Sequence, residues 1–270
     1  MRLTVEVLRA DAERAMAAGC AVLGTGCRER DLPGGLVALD FWVAPPAGGA
    51  AGRLERAVGP AALAGGVRAE EEDPSWGEAM RAFHHPVEIA GRLRVRPPWD
   101  DPRPPLADVV IDPGMAFGTA QHPTTRACLE LLAALPAAGS LLDAGCGSGV
   151  LAIAARRLGF DPVWALDHDP LAVEATLANE QRNRVGLRVA RRTIGADPLP
   201  AAHAVVANLT ATGLAVLAGA LPRPAPRWLV ASGLRPGEVS ATAARFAPLG
   251  LSLSREIVDD GWASVLLERS

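Results

Sequence analysis

The 270-residue chain contains no lysine and no tyrosine, so all 27 of its basic side chains are arginine. With Ala, Gly, Pro and Arg abundant, this composition reads as the product of a G+C-rich coding sequence. Cysteine is scarce. Cys20, Cys27, Cys128 and Cys146 show no C-x-x-C spacing, which excludes a zinc ribbon and a disulfide scaffold and fits a reduced, intracellular protein. Glu6 and Arg9 interrupt the first ten residues, so no secretory h-region is expected. The charge-free run between Pro198 and Pro222 contains His203, Asn208, Thr210 and Thr212 and reads as a buried strand and helix, not a membrane span. A formal charge of −3 supplies no electrostatic case for nucleic acid or for an anionic membrane surface.

The length suffices for two domains. Residues 1–72 suggest a small module: a strand over Met1–Leu8, an Ala-rich helix over Asp11–Cys20, a turn from Cys27 to Gly35, a strand over Leu36–Val43, a helix from Gly52 through Val58 into the Ala-rich residues beyond it, and a closing strand at Val67–Glu70. That order matches a ferredoxin-like α+β module. Glu70-Glu71-Glu72-Asp73-Pro74 opens a linker over 73–104, in which Trp76–Phe83 reads as a short helix and Val87–Val95 as a strand. From 105 to 270, strands and helices alternate as in βαβ units, and a hairpin ends in Gly261–Leu267. The expectation is an α/β doubly wound, Rossmann-like domain.

Within that domain, Leu141-Leu142-Asp143-Ala144-Gly145-Cys146-Gly147-Ser148-Gly149-Val150-Leu151 reads as strand, tight turn and helix start. Glycines at alternate positions let the backbone meet a ligand directly, with helix amides facing it. A dinucleotide fingerprint would place its third glycine at 150, where this chain has Val150. Asp143, just before the first glycine, suits a ligand that carries a sulfonium and an ammonium group better than a pyrophosphate. S-adenosylmethionine is such a ligand. A second strand ends at Asp167, 22 residues beyond Gly145, where a carboxylate can accept ribose hydroxyls. Asp169, before Pro170, reads as the cap of the next helix.

Two further stretches converge on the same place. Residues 111–125 pack glycines, hydroxyls and His122 into a loop that ends at Thr124 and Thr125, either of which can cap the following helix. The strand Ala204–Asn208 ends in an Asn that can orient an attacking amine or serve as an ordinary turn residue. The cluster Arg182, Arg184, Arg188, Arg191 and Arg192 reads as a solvated edge.

Asp-Pro-Gly-Met-Ala-Phe-Gly-Thr at 112–119, His-Pro-Thr-Thr at 122–125, Asp-Ala-Gly-Cys-Gly-Ser-Gly at 143–149, Asp-His-Asp-Pro at 167–170, Val-Val-Ala-Asn-Leu at 205–209, Ser-Gly-Leu at 232–234 and Gly-Trp at 261–262 resemble the PrmA family. The resemblance implies a class I S-adenosylmethionine-dependent methyltransferase preceded by a substrate-recognition domain. It also implies N-methylation of amino groups, on lysine side chains or the N-terminus, of the large-subunit ribosomal protein numbered eleven. Carried over, it places Thr125, Gly145, Asp167 and Asn208 on the cofactor, with Gly147 and Asp143 beside them from the reading of the turn. Two departures stand out. Ala120 replaces a family glycine, and His168 occupies the middle of Asp-His-Asp-Pro. No general base is evident; Asn208 is the candidate for orienting the nucleophile, followed by His122. The chain is expected as a cytoplasmic monomer without bound nucleic acid or metal. Methylation of another protein or small amine, cofactor binding without catalysis, and a nicotinamide oxidoreductase, which the glycine spacing disfavours, are the alternative readings of the same residues.

Overall fold

Leu3, Val5 and Val7 alternate with polar neighbours, as do Val37, Leu39 and Phe41, and each set must bury one face of a strand. The computed structural model, which describes residues 1–23, 25, 27–43, 49–70, 84–112 and 120–269, shows how they do so. Its contacts divide into two units, Met1–Phe83 and His84–Ser270.

In the first unit, β1 (Arg2–Leu8), β2 (Cys27–Leu32), β3 (Leu36–Trp42) and β4 (Ala62–Glu70) form an antiparallel sheet in the order β2-β3-β1-β4. The alternating apolar residues pack against α1 (Ala12–Leu23) and α2 (Ala50–Val58) through Ala15 and Leu54. On the opposite face, Thr4 donates to the buried carboxylate of Asp40 at 2.6 Å. The turn expected over Cys27–Gly35 is instead mostly strand. Arg-Glu-Arg-Asp at 28–31 sits on the sheet edge, where its charges remain solvated and Arg9 pairs with Glu29 and Asp31. The helix expected over Trp76–Phe83 lies outside the described residues.

In the second unit, β5 (Val87–Ile89), β6 (Leu93–Arg96) and β7 (Ala107–Val110) form a small sheet. The expected linker 73–104 therefore ends sooner: its later part is structured, because Ile89, Leu93 and Val95 bury into the same core as Val109. Arg96 Nε donates to both carboxylate oxygens of Asp108, at 2.9 and 2.8 Å, which fixes β6 to β7.

The larger sheet comprises β8 (Leu141–Ala144), β9 (Val163–Asp167), β10 (Arg188–Arg191), β11 (Ala204–Asn208), β12 (Trp228–Leu234), β13 (Leu251–Asp259) and β14 (Trp262–Arg269). Their order is β10-β9-β8-β11-β12-β14-β13; β14 runs antiparallel to its neighbours and β10, β9, β8, β11 and β12 run parallel. Side chains alternate between two cores. Leu141, Val163 and Val206 face α3 (Pro123–Ala134) and α4 (Val150–Leu158), whereas Leu142, Val205 and Ala207 face α6 (Ala211–Ala220) and α7 (Val239–Phe246). α5 (Pro170–Asn183) packs beside α4. The chain winds outward from β8 in one direction and from β11 in the other, so the two strands diverge at their carboxyl ends. In open α/β sheets such a switch point is where ligands bind.

Candidate functional site

A cleft of about 490 Å³ opens at this switch point, a volume within the usual range for small-molecule sites. Thr125, Gly145, Gly147, Asp167 and Asn208 all line it, so five of the six residues singled out in the sequence converge. They arrive from four separate parts of the chain. Thr125 comes from the first turn of α3, the glycines from the β8–α4 turn, Asp167 from the end of β9 and Asn208 from the end of β11. Leu166, Ile194, Leu209 and Val216 supply apolar walls.

The turn is built to come close to whatever occupies the cleft. Gly145 holds φ at +83°, and a Cβ there would lie 2.7 Å from Leu209, so only glycine fits. Asp167 Oδ2 accepts the Gly147 N–H at 3.0 Å, and Oδ1 accepts the Asp169 N–H at the same distance. A carboxylate offers about four acceptor positions, so each oxygen retains capacity for a hydroxyl. Asp169 caps α5, accepting from Leu171 N at 2.9 Å. This separates the two roles, with Asp167 in the cleft and Asp169 on the helix. His168, next to them, is largely exposed and lies 3.3 Å from Asp167.

Asp143 stands apart. It is fully buried beneath the turn and outside the cleft lining; Oδ2 accepts the Ala152 N–H at 3.0 Å, and Oδ1 has no partner among the described residues. Burial, reinforced by the nearby charge of Asp167, pushes its pKa up to about 7. Its visible work is to tie the start of α4 to β8. Thr125 Oγ1 is likewise buried without a partner among the described residues, although the residue lines the cleft. An orphaned hydroxyl at a ligand site is a donor and acceptor held ready for that ligand. Burial also holds the Cys146 thiol well above its usual range, so it stays neutral and inert in the turn.

The helix cap differs from the expectation. His122 is the N-cap of α3, its Nδ1 accepting from Thr124 N, while Thr124 and Thr125 occupy the first turn. Their hydroxyls are thereby released from capping. Asn208 Nδ2 donates to Thr124 Oγ1 at 3.1 Å, and the His122 ring meets Trp262 edge-on at 5.3 Å. Ala120 adopts φ = +64°, the left-handed conformation that the family glycine would take without strain. Most of the 112–119 loop, including Phe117, Gly118 and Thr119, lies outside the described residues.

A model of the PrmA family, described as ribosomal protein L11 methyltransferase, matches residues 60–270. The chain belongs to the PrmA family. Among its curated relatives, the ribosomal protein L11 methyltransferase of Bordetella parapertussis is 41% identical over 231 residues, 77% of this chain and 73% of that one. The one from Dechloromonas aromatica is 40% identical over 192 residues, covering 68% and 64%. The crystal structure of a ribosomal protein L11 methylase from Lactobacillus delbrueckii subsp. bulgaricus superposes with a TM-score of 0.61 at 25% identity, covering 69% of this chain and all of that one.

This PrmA-family chain is accordingly an S-adenosylmethionine-dependent methyltransferase. The cleft is chemically compatible with that cofactor: the Asp167 carboxylate has acceptor positions to spare, the Thr125 hydroxyl has no partner among the described residues, the glycine turn carries no obstructing side chains, and the walls are apolar. Two positions that the sequence reading passed over also shape the PrmA-type site. Thr176 Oγ1 donates to Gly147 O at 3.0 Å and Asn179 Nδ2 to Ser148 O at 2.9 Å, fastening the turn from α5. Their signal was present as polar residues at helical spacing with Asn183, on a face that must be buried. No helix among the described residues is long and apolar enough to cross a membrane.

Proposed function

We propose that the chain methylates amino groups of ribosomal protein L11, on lysine side chains or the N-terminus, in the cytoplasm and as a monomer. The convergence of Thr125, Gly145, Gly147, Asp167 and Asn208 on one cleft carries the cofactor side of this reading. The names of the relatives and their identities of about two-fifths carry the substrate side. When bound, S-adenosylmethionine supplies an electrophilic methyl carbon on a sulfonium that leaves neutral. Asp167 would accept ribose hydroxyls, Thr125 Oγ1 would gain the hydrogen bond it lacks among the described residues, and the glycine amides would face the ligand. Asp143 supports the turn from below.

Asn208 orients the incoming amine. Because the leaving group departs neutral, the protein needs positioning more than acid–base groups, and orientation supplies up to about 7 to 11 kcal/mol in the best cases. The β1-α1-β2-β3-α2-β4 unit is read as a ferredoxin-like substrate-recognition domain, its strand order being the one that topology requires.

Incubating the protein with unmethylated L11 and S-adenosylmethionine tests the proposal by intact mass. Methyl increments on L11 are expected. An unchanged mass, with cofactor binding retained by calorimetry, overturns the substrate assignment and leaves the cofactor reading standing.

A further inference from the structure

The contacts around Asn208 run in one direction. The Thr124 N–H points at His122 Nδ1 from 3.3 Å, and Thr124 Oγ1 lies 2.7 Å from the same nitrogen. A ring nitrogen that accepts a backbone N–H carries no proton, so the Thr124 hydroxyl must donate to it. Oγ1 then has only lone pairs to offer its other neighbour, the Asn208 side chain at 3.1 Å. The amide is therefore obliged to turn Nδ2 toward Thr124, which sends Oδ1 the opposite way. Oδ1 makes no hydrogen bond among the described residues, and Asn208 lines the cleft. Thr124 itself is buried and further held through its carbonyl, which accepts from Ser232 Oγ at 3.4 Å.

We propose that Thr124, polarised by His122, is a positioning residue that sets Asn208 with its carbonyl oxygen toward the cleft, as the acceptor for an N–H of the substrate amine. The proposal rests on the reading of the chain as an amine methyltransferase. It has a chemical consequence. The amine must attack as a neutral base: its lone pair forms the N–C bond, the C–S bond breaks with its electron pair going to sulfur, and in the first two transfers a proton then leaves nitrogen for water. A neutral primary amine has two N–H groups, a monomethylated amine one and a dimethylated amine none. An acceptor at Asn208 can hold the first two substrates and has nothing to grip in the third.

The test compares wild type, Thr124→Val and Thr124→Ser on unmodified L11 and on L11 reductively dimethylated beforehand with formaldehyde and cyanoborohydride. Valine keeps the shape and removes the hydroxyl. The expected result is a fall of about tenfold in kcat on unmodified L11, the size of one hydrogen bond, with the Kd for S-adenosylmethionine unchanged. Serine restores the rate, and any turnover of the dimethylated protein is the same in wild type and Val variant. Wild-type kcat in the Val variant, equal slowing on the dimethylated protein, or failure of serine to rescue each overturns the proposal. If wild type transfers nothing to unmodified L11, the amine-methyltransferase reading falls and the proposal falls with it. An active wild type with any of the other three results removes the proposal alone.

Discussion

Asp143 and Thr125 are both buried with an oxygen that lacks a partner among the described residues, yet they answer to different physics. The folded-state pKa of Asp143 is raised to about 7, above the ordinary carboxylate value near 4. Between those values the folded protein binds more protons than the unfolded chain, so stability is greatest at the acid end and falls as pH rises toward 7. For a shift of about three units this contribution is on the order of 3 to 4 kcal/mol. Thermal melts of wild type from pH 5 to 8 should show it as a declining Tm, and Asp143→Asn should flatten the decline. Equal slopes in the two proteins would show that Asp143 does not titrate there. For Thr125, replacing an unsatisfied hydroxyl with a methyl removes a desolvation cost, so Thr125→Val should leave the free protein as stable or up to about 1 kcal/mol more stable. The same change should weaken S-adenosylmethionine binding by about tenfold in calorimetry. Asp167→Ala, which removes a charged acceptor, should weaken it by at least as much.

At the scale of elements, α5 connects the glycine turn to β7 and to Asp112 just past its end. Along one buried face Thr176 and Asn179 hold the carbonyls of Gly147 and Ser148, Asn179 Oδ1 accepts Asp112 N at 3.1 Å, and Asn183 pairs with both Val110 N and Val110 O. Asn183 thus continues the hydrogen bonding of β7 beyond its own sheet. Asn179→Ala would remove the side-chain partner of Ser148 O and Asp112 N, and urea unfolding should report a loss of about 1 to 3 kcal/mol. The glycine turn was legible because its residues are forced by backbone geometry, and Asp169 because Asp-Pro at a helix start has few other meanings. The cap of α3 was misjudged because Thr is an ordinary capping residue; only the structure shows His122 taking that place and freeing the Thr124 hydroxyl. β2 was misjudged because an edge strand need not alternate when both of its faces meet water.

Over the whole molecule, the alternation of strands and helices after residue 105 was enough to give the sheet and the end of it where the cleft lies. It could not place Asp143 outside the cleft, since strand residues just before a turn look alike until the turn is folded. Nor could it show that 87–96 belong with the second unit, because their partner strand β7 lies beyond a proline-rich stretch. The cleft residues, from Thr125 to Val216, all lie in the second unit. A fragment of residues 84–270 should therefore bind S-adenosylmethionine like the full chain while losing most transfer to L11, if the first unit recognises the substrate. Undiminished transfer by the fragment would remove that role. The most direct test of the account as a whole is selectivity. Radiolabelled S-adenosylmethionine and the full-length protein are added to an extract of bacteria that lack their own L11 methyltransferase, and the proteins are separated. Label is expected in L11, dependent on Asp167; label in other proteins but not in L11 would contradict the assignment.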